Sequence, residues 1–524
     1  MKDKVTVLKS NKMLSALLIV LWIALLLVEG LTFGVIWKLD MLPVLYLAII
    51  AVIFVLLWAV IGVLFFRKKA KGQSGRRVVA LLLVILIVFG CTSASGVVSR
   101  LGSAINTVTG NTEMTTVMTV YVRADDQALN IEDTADYTYA VLRNTAADKT
   151  RQALQTLEQT LGIAPAIVEY DFATEAAVAL YTGVVDAILM SDSFAGLLME
   201  MKEYKDFDAR TRVLYEVSIV EQVTPPKAPV SGNTSRPAVG GNNQTSGEKT
   251  PVVAAPITET PFILYLSGND TRSAKLVTSR SDVNILAVIN PVTKQILLVN
   301  TPRDYYIPHP LAPNGELDKL THLGNDGIKC SISGLESLYD ERVDFYAQIN
   351  FAGFEKLIDA IGGITLYFNK PFLAYGQTQI YEGENYLTGA QALHVARDRD
   401  SFADGDNSRG RNQMKIIKAV VQKIASGAIL SNYEEVIDSL EGMFVADLSK
   451  EDVAKLVKMQ LSDLASWNIQ SYAVTGEGGT DRTYTAGYAY VMYVDQDRVD
   501  FGKELIDRVL AGEVLTEQDV VYPG

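Results

Sequence analysis

Cysteine and histidine are nearly missing from this chain, with two and three residues in 524. Cys91 ends an apolar run and Cys330 stands alone, so neither a disulfide framework nor a thiolate metal site is available. His309, His322 and His394 show no ligand spacing and no partner arrangement for a Ser/His/Asp relay, and covalent nucleophilic catalysis is unsupported. His394, beside Leu393 and Val395 in a predicted helix, reads as a packed side chain. Net positive charge is lacking as well. A formal charge of −13 argues against nucleic-acid binding, which calls for a basic domain.

Long apolar runs are abundant by contrast. Met13 to Trp37, Leu42 to Phe66 and Val78 to Val98 can each cross a hydrocarbon core ~30 Å thick. The competing reading of the first, after Lys2, Lys4, Lys9 and Lys12, is a cleaved signal peptide, but its apolar stretch is too long and a second span follows closely. The only dense basic segment, 67–77, should stay cytoplasmic with the N-terminal lysines. Three crossings within 1–100 then make a multi-pass cell-membrane protein whose C-terminal domains are extracytoplasmic.

Leu101 to Glu113 reads as a polar stalk. Residues 114–222 read as a small α/β accessory domain, with strands at Thr116–Val122, Ala166–Tyr170 and Ala187–Met190 and helices at Thr150–Leu161, Ala173–Leu180 and Phe194–Met201. Nothing catalytic clusters there. Residues 223–260, rich in proline, glycine and asparagine, read as a disordered tether. Residues 261–512 form the largest domain, an α/β (α+β) mixed sheet flanked by helices, and 513–524 a tail. Its strands are predicted at Phe262–Leu266, Val283–Ile289, Ile296–Val299 and Ile364–Phe368, the second and third joined as a hairpin by Asn290-Pro291-Val292-Thr293-Lys294. Helices are predicted at Ile328–Tyr339, Phe351–Ile361, Gly389–Ala396, Gly410–Ser426, Tyr433–Leu440, Glu451–Leu464 and Asp495–Leu510. Thr388 and Gln391 form a capping-box pattern at the start of the third.

The chemistry-bearing residues fall between Asp270 and Gln413. Asp270 follows one buried strand and Asp282 precedes the next, so the intervening loop can bring two hard carboxylates and Arg280 to one sheet end, where ligands collect in open α/β sheets. Arg303 and Asp304 close the third strand near the same edge. Arg397 and Arg399 precede Asp406, Arg409 and Gln413, the last two sharing one face at a helix start whose apolar stripe is Ile416, Ile417, Val420 and Ile424. Guanidinium forks match phosphate oxygens, and a helix N-terminus adds N–H groups, so the pattern points to a metal-bridged diphosphate. Solvated turns and a salt-bridged surface loop are the competing readings of these charges.

The motifs resemble the LytR-CpsA-Psr family. The resemblance runs through Arg280-Ser281-Asp282, Thr301-Pro302-Arg303-Asp304, Asp318-Lys319-Leu320-Thr321-His322, Ile349-Asn350-Phe351, Leu387 to Leu393 and Arg397-Asp398-Arg399, in order over roughly Phe262 to Ser426. The three-span start with an accessory domain resembles the streptococcal capsule-associated branch. The family implies a magnesium-dependent phosphotransferase that moves a capsular or teichoic-acid-like glycopolymer from a polyprenyl-pyrophosphate carrier onto a peptidoglycan hydroxyl as a phosphodiester. The resemblance then assigns Asp270 and Asp282 to Mg²⁺ (or Mn²⁺), and Arg280, Arg303, Arg397, Arg399 and Arg409 to the diphosphate. Lys319, Asp406 and Gln413 fall at further polar motif positions, with Asp304 and Asp406 as candidate bases and capsule-synthesis machinery as a candidate partner. Arg409-Gly410-Arg411-Asn412-Gln413 displaces one cation of the family pattern by a position, which leaves Arg411 without an assigned role. Two other functions fit the same residues: a polyprenyl-pyrophosphate hydrolase, and a non-catalytic membrane regulator of capsule synthesis that binds lipid-linked glycan.

Overall fold

A computed structural model describes residues 2–67, 73–109, 113–143, 145–222, 256–271, 275–402, 405–425 and 442–523. The tether through 255, the helix expected at Tyr433–Leu440 and residues 68–72 of the basic loop lie outside them. The described residues divide into two compact units.

One unit holds residues 1–107 and 449–465. Helices α1 (Lys2–Leu39), α2 (Val44–Phe66) and α3 (Gln73–Val108) contain three stretches long and apolar enough to span a membrane. Trp22 and Trp58 stack at 4.0 Å between α1 and α2, and each indole N–H donates to the other residue's carbonyl. The third helix continues to Val108, into the stretch read as a stalk, whose last residue, Glu113, opens the first strand. Leu101 and Ile105 carry the helical spacing of Val97 past the end of the predicted span, which overrides the local polarity. The helix Lys450–Asp463, expected within the largest domain, belongs to this unit, where Lys458 bonds Asp40 at 2.8 Å.

The other unit begins with β1 (Glu113–Arg123), β2 (Thr138–Leu142), α4 (Ala147–Leu161), β3 (Ala166–Tyr170), α5 (Ala173–Tyr181), β4 (Ala187–Ser191), α6 (Asp192–Glu200), the single turn α7 (Phe207–Arg210) and β5 (Thr211–Gln222). Strand order is β3-β2-β4-β1-β5, parallel on the β2 side and antiparallel around β1. The helices leave apolar clusters on both faces of this sheet, one around Leu180 and Leu198 and one around Val120 and Leu157.

The larger sheet of the same unit is built on β6 (Phe262–Asn269), β7 (Ser281–Asn290) and β8 (Gln295–Asn300), the last two joined by the expected hairpin turn. A small hairpin of β9 (Tyr306–Pro308) and β10 (Leu317–Lys319) leads into the turn α8 (Leu320–Leu323) and helix α9 (Ile328–Tyr339). Strand β11 (Phe345–Asn350) then joins β6 in parallel, followed by α10 (Phe351–Ala360). Strand β12 (Ile364–Phe368) pairs with β15 (Gly383–Leu387) in a separate ribbon instead of entering the main sheet, and β13 (Phe372–Ala374) pairs with β14 (Thr378–Ile380). Helices α11 (Gly389–Arg397) and α12 (Asp406–Ala425) and strand β16 (Phe444–Ala446) follow. With Lys450–Asp463 as α13, the chain ends in β17 (Asn468–Ala473), the hairpin β18 (Gly476–Thr483) and β19 (Gly487–Val494), and α14 (Gln496–Leu510). The mixed sheet runs β16-β11-β6-β7-β8-β17.

Period-two alternation decides what β6 does. Ile263 and Tyr265 enter the main core, while Leu264, Leu266 and Gly268 face a cavity on the other side. The capping box holds at α11: Thr388 Oγ1 accepts from Gln391 N–H, and Gln391 Oε1 accepts from Thr388 N–H at 3.0 Å. Helix α12 starts four residues earlier than its apolar stripe predicts, which places Arg409 inside its first turn.

Candidate active site

A cavity of about 1100 Å³ opens at the sheet end where β6, β8 and β11 finish and β7 begins. Volumes near the top of the usual ligand-pocket range suit a large substrate. Asp270, Arg280, Asp282, Arg303, Arg397 and Arg399 all reach it, as do Arg409 and Gln413. Residues separated by more than a hundred positions are thus brought to one wall.

Arg280, Arg303 and Arg397 each have a specific neighbour. Arg280 Nη2 pairs closely with Asp270 across the loop, and Arg303 Nη1 donates to Asp282 Oδ1 at 2.8 Å. Arg280 owes its place to a close approach: a Cβ at Gly324 would fall 2.7 Å from both Ser279 O and Ser281 N, so only glycine lets the α8 segment press against the Arg280 backbone. Gly410 does the same for Arg409, because a Cβ there would collide at 2.3 Å with the Asn300 side chain ending β8. Arg397 stacks its guanidinium on Tyr375 and Phe351, at 4.5 and 4.7 Å from the ring centroids. Gln413 Nε2 donates to Ala396 O at 3.0 Å and ties α12 to α11.

Burial would raise the Asp282 carboxyl, but Arg303, Arg409 and Arg280 outweigh it and hold the group well below the usual carboxylate range. It is therefore ionised at any physiological pH. Asp304, named as a candidate base, sits behind the wall. Its burial is outweighed by Lys319, whose Nζ is 2.6 Å away, and by Arg303, so it too lies below the usual range and is a weak proton acceptor. Lys319 likewise reaches Asp304 and not the cavity; the two form an outer pair that backs Arg303. Asp406 opens α12, but its side chain lies outside those described. Arg411 is exposed and bonds Ser408 Oγ at 2.8 Å, away from the cavity lining.

Two carboxylates and a set of loop oxygens suit Mg²⁺, which commonly takes one or two protein carboxylates and completes its shell with substrate phosphates and water. Among the described residues no three acidic, histidine or cysteine side chains gather into a group that could hold a metal ion by themselves. Asp270 and Asp282 fit the part, although each is engaged by an arginine.

The apolar side of the cavity comes from α10, α12, β11 and β16. On α12, Arg409, Gln413, Ile417, Val420 and Ile424 follow helical spacing along one stripe, so the wall changes from polar to apolar along roughly 22 Å of helix. Phe354 and Phe444 close it.

Four features escaped the sequence reading. His322 does have a partner: Nδ1 lies 2.6 Å from Asp318 Oδ1, and Thr485 Oγ1 donates to Asp318 Oδ2 at 2.6 Å. The cluster is buried and outside the cavity, so it fastens α8 to the β18–β19 turn. The i,i+4 spacing of Asp318 and His322 was the available signal. His394 bonds Thr378 Oγ1 at 2.8 Å, and His309 Nε2 lies 3.3 Å from Asp326 Oδ2. The accessory lobe, read as chemically silent, supplies part of the cavity wall through Tyr121, Asp192, Gly196 and Arg212.

Over 198 residues the chain is 34% identical to the polyisoprenyl-teichoic acid–peptidoglycan teichoic acid transferase TagU of Enterococcus faecalis, a match spanning 37% of this chain and 64% of that protein. The transferase of the same name from Halalkalibacterium halodurans is 30% identical over 220 residues, 42% of this chain and 70% of its own. The crystal structure of B. subtilis TagV aligns with 49% of this chain and 99% of its own at 19% identity and a TM-score of 0.41. The LytR_cpsA_psr family pattern matches residues 232–506, more than half of the chain, and the protein belongs to that family.

Proposed function

We propose that this protein is a membrane-anchored transferase that moves a glycopolymer, capsular or teichoic-acid-like, from a polyprenyl-diphosphate carrier to a peptidoglycan hydroxyl, on the extracytoplasmic side. The observation that carries the reading is the α12 stripe, which joins a guanidinium cluster to an apolar wall within one cavity. A polyprenyl diphosphate is amphipathic in the same sense.

In this reading Arg280, Arg303 and Arg409 hold the diphosphate oxygens and Arg397 and Arg399 close over them, each guanidinium able to engage two oxygens. The acceptor oxygen attacks the phosphorus next to the sugar. A new P–O bond forms, the bond to the bridging oxygen breaks, and the carrier departs as a monophosphate that takes up the acceptor's hydroxyl proton and whose growing charge the arginines neutralise. Asp270 and Asp282 would hold Mg²⁺, which supplies charge neutralisation across the two phosphates when bound. Lys319 and Asp304 act from behind by keeping Arg303 aimed into the cavity. The apolar wall takes the carrier chain and keeps water from it.

The test is attachment of a labelled lipid-linked glycan to peptidoglycan by the full chain in detergent. Arg397→Ala and Arg399→Ala should each leave the protein folded and reduce attachment by about 100-fold or more, the scale of a lost transition-state donor. Chelation of divalent cations should stop transfer, and Mg²⁺ or Mn²⁺ should restore it. Wild-type rates in both arginine variants would reject the diphosphate assignment; free glycan phosphate as the sole product would favour hydrolysis.

A further inference from the structure

The cavity has a third kind of wall. Helix α6 presents Asp192, Gly196 and Met199 at helical spacing, and Asp208 and Val213 flank it from α7 and the start of β5. This shelf lies directly on the diphosphate end, since a Cβ at Gly196 would sit 3.9 Å from Arg280 Nη2. It is also fixed in place: Thr116 and Thr278 hydroxyls bond at 2.9 Å, and Thr278 N–H donates to Thr115 O at 2.8 Å. Asp192 is anchored, for the buried Tyr121 hydroxyl donates to its Oδ1 at 2.5 Å and leaves the carboxylate exposed. Arg212, a cation of the same lobe, spends its Nη2 on the carbonyls of Asp126 and Ala128.

Exposed carboxylates repel a diphosphate, and a hydrocarbon chain gains nothing from them. Carboxylates beside exposed apolar groups, Met199 at 36% and Val213 at 49%, instead suit a ring with hydroxyl edges and C–H faces. We infer that the accessory lobe is a carbohydrate subsite that receives the first sugar of the lipid-linked glycan, with Asp192 and Asp208 accepting its hydroxyls. The inference rests on the diphosphate reading above and assigns that site its glycan side.

The experiment measures binding of two probes to the full chain in detergent with Mg²⁺: a polyprenyl diphosphate carrying a single glucose, and the same lipid without sugar. Wild type should bind the glucosylated lipid about 10-fold more tightly. The double variant Asp192→Asn, Asp208→Asn should lose that preference while binding the bare lipid as wild type does, which also shows that it folds. Equal affinity of wild type for the two lipids, or a preference that survives in the double variant, overturns the inference. Failure of wild type to bind either lipid would instead strike the diphosphate reading, and Arg399→Ala, which should weaken both lipids alike, separates the two.

Discussion

At one end of the cavity Arg280, Arg303 and Arg409 are almost fully buried among carboxylates; at the other, Ile417, Val420 and Ile424 stand partly open along a single helix. The charged end gathers residues from four stretches of chain, and its ions offset the cost of burial only while every partner is present. The apolar end needs hydrophobic side chains at the right spacing and tolerates exchange among them. Coupled, all-or-none behaviour should therefore mark the first, and graded behaviour the second.

The largest effect should follow Arg303→Ala. Removing this guanidinium leaves Asp282 without its 2.8 Å partner and takes one of the cations from Asp304, so both folding and transfer should suffer: a loss of about 3 kcal/mol in stability, seen as a lower Tm, together with loss of attachment. A stable Arg303→Ala protein would show that the charged end is not a coupled network. A smaller effect is expected from Ile417→Asp. Loss of one buried aliphatic group is worth about 2 kcal/mol, so Kd for a long-chain polyprenyl diphosphate should rise roughly 30-fold. A ten-carbon analogue should bind almost unchanged, and equal loss for both chain lengths would mean that the stripe packs the core and does not hold the carrier.

The two ends also differed in how far they could be read from the chain. Spans, the β7–β8 hairpin, most helices and the Thr388–Gln391 cap are local patterns, and local patterns survive folding. The arginines were legible because few structural roles call for five guanidiniums on loops and helix starts. The α12 stripe was legible as apolar spacing but ambiguous between core and channel, since periodicity does not say what lies opposite. Pairings across sequence distance were not legible. Asp304 and Lys319 meet only because the β9–β10 hairpin folds back, and β12 left the main sheet for a ribbon with β15 although its composition matched the central strands. Asp192 carried no motif at all; its position follows from how β1 and α6 meet the β6–β7 loop.

The smallest effect sharpens the contrast between a carboxylate with cations and one without. Asp447 follows β16, between the cavity residues Ala446 and Leu448, and is 4% exposed. Its Oδ1 accepts the Tyr346 N–H at 2.7 Å. Burial pushes its carboxyl up to about 6, only partly countered by the backbone N–H groups of Tyr346 and of Asp447 itself. Because the folded value lies above the unfolded one, the native state keeps its proton longer: stability is whole at pH below about 4 and falls as pH rises toward 6, then levels. Asp447→Asn resembles the protonated acid, so it should match wild type near pH 3.5 and exceed it at pH 7.5, by on the order of 1–3 kcal/mol. Thermal unfolding at the two pH values reads the difference. Asp282, held low by three arginines, should behave in the opposite way: Asp282→Asn should cost stability at pH 7.5, because it removes the charge that those cations were arranged to meet.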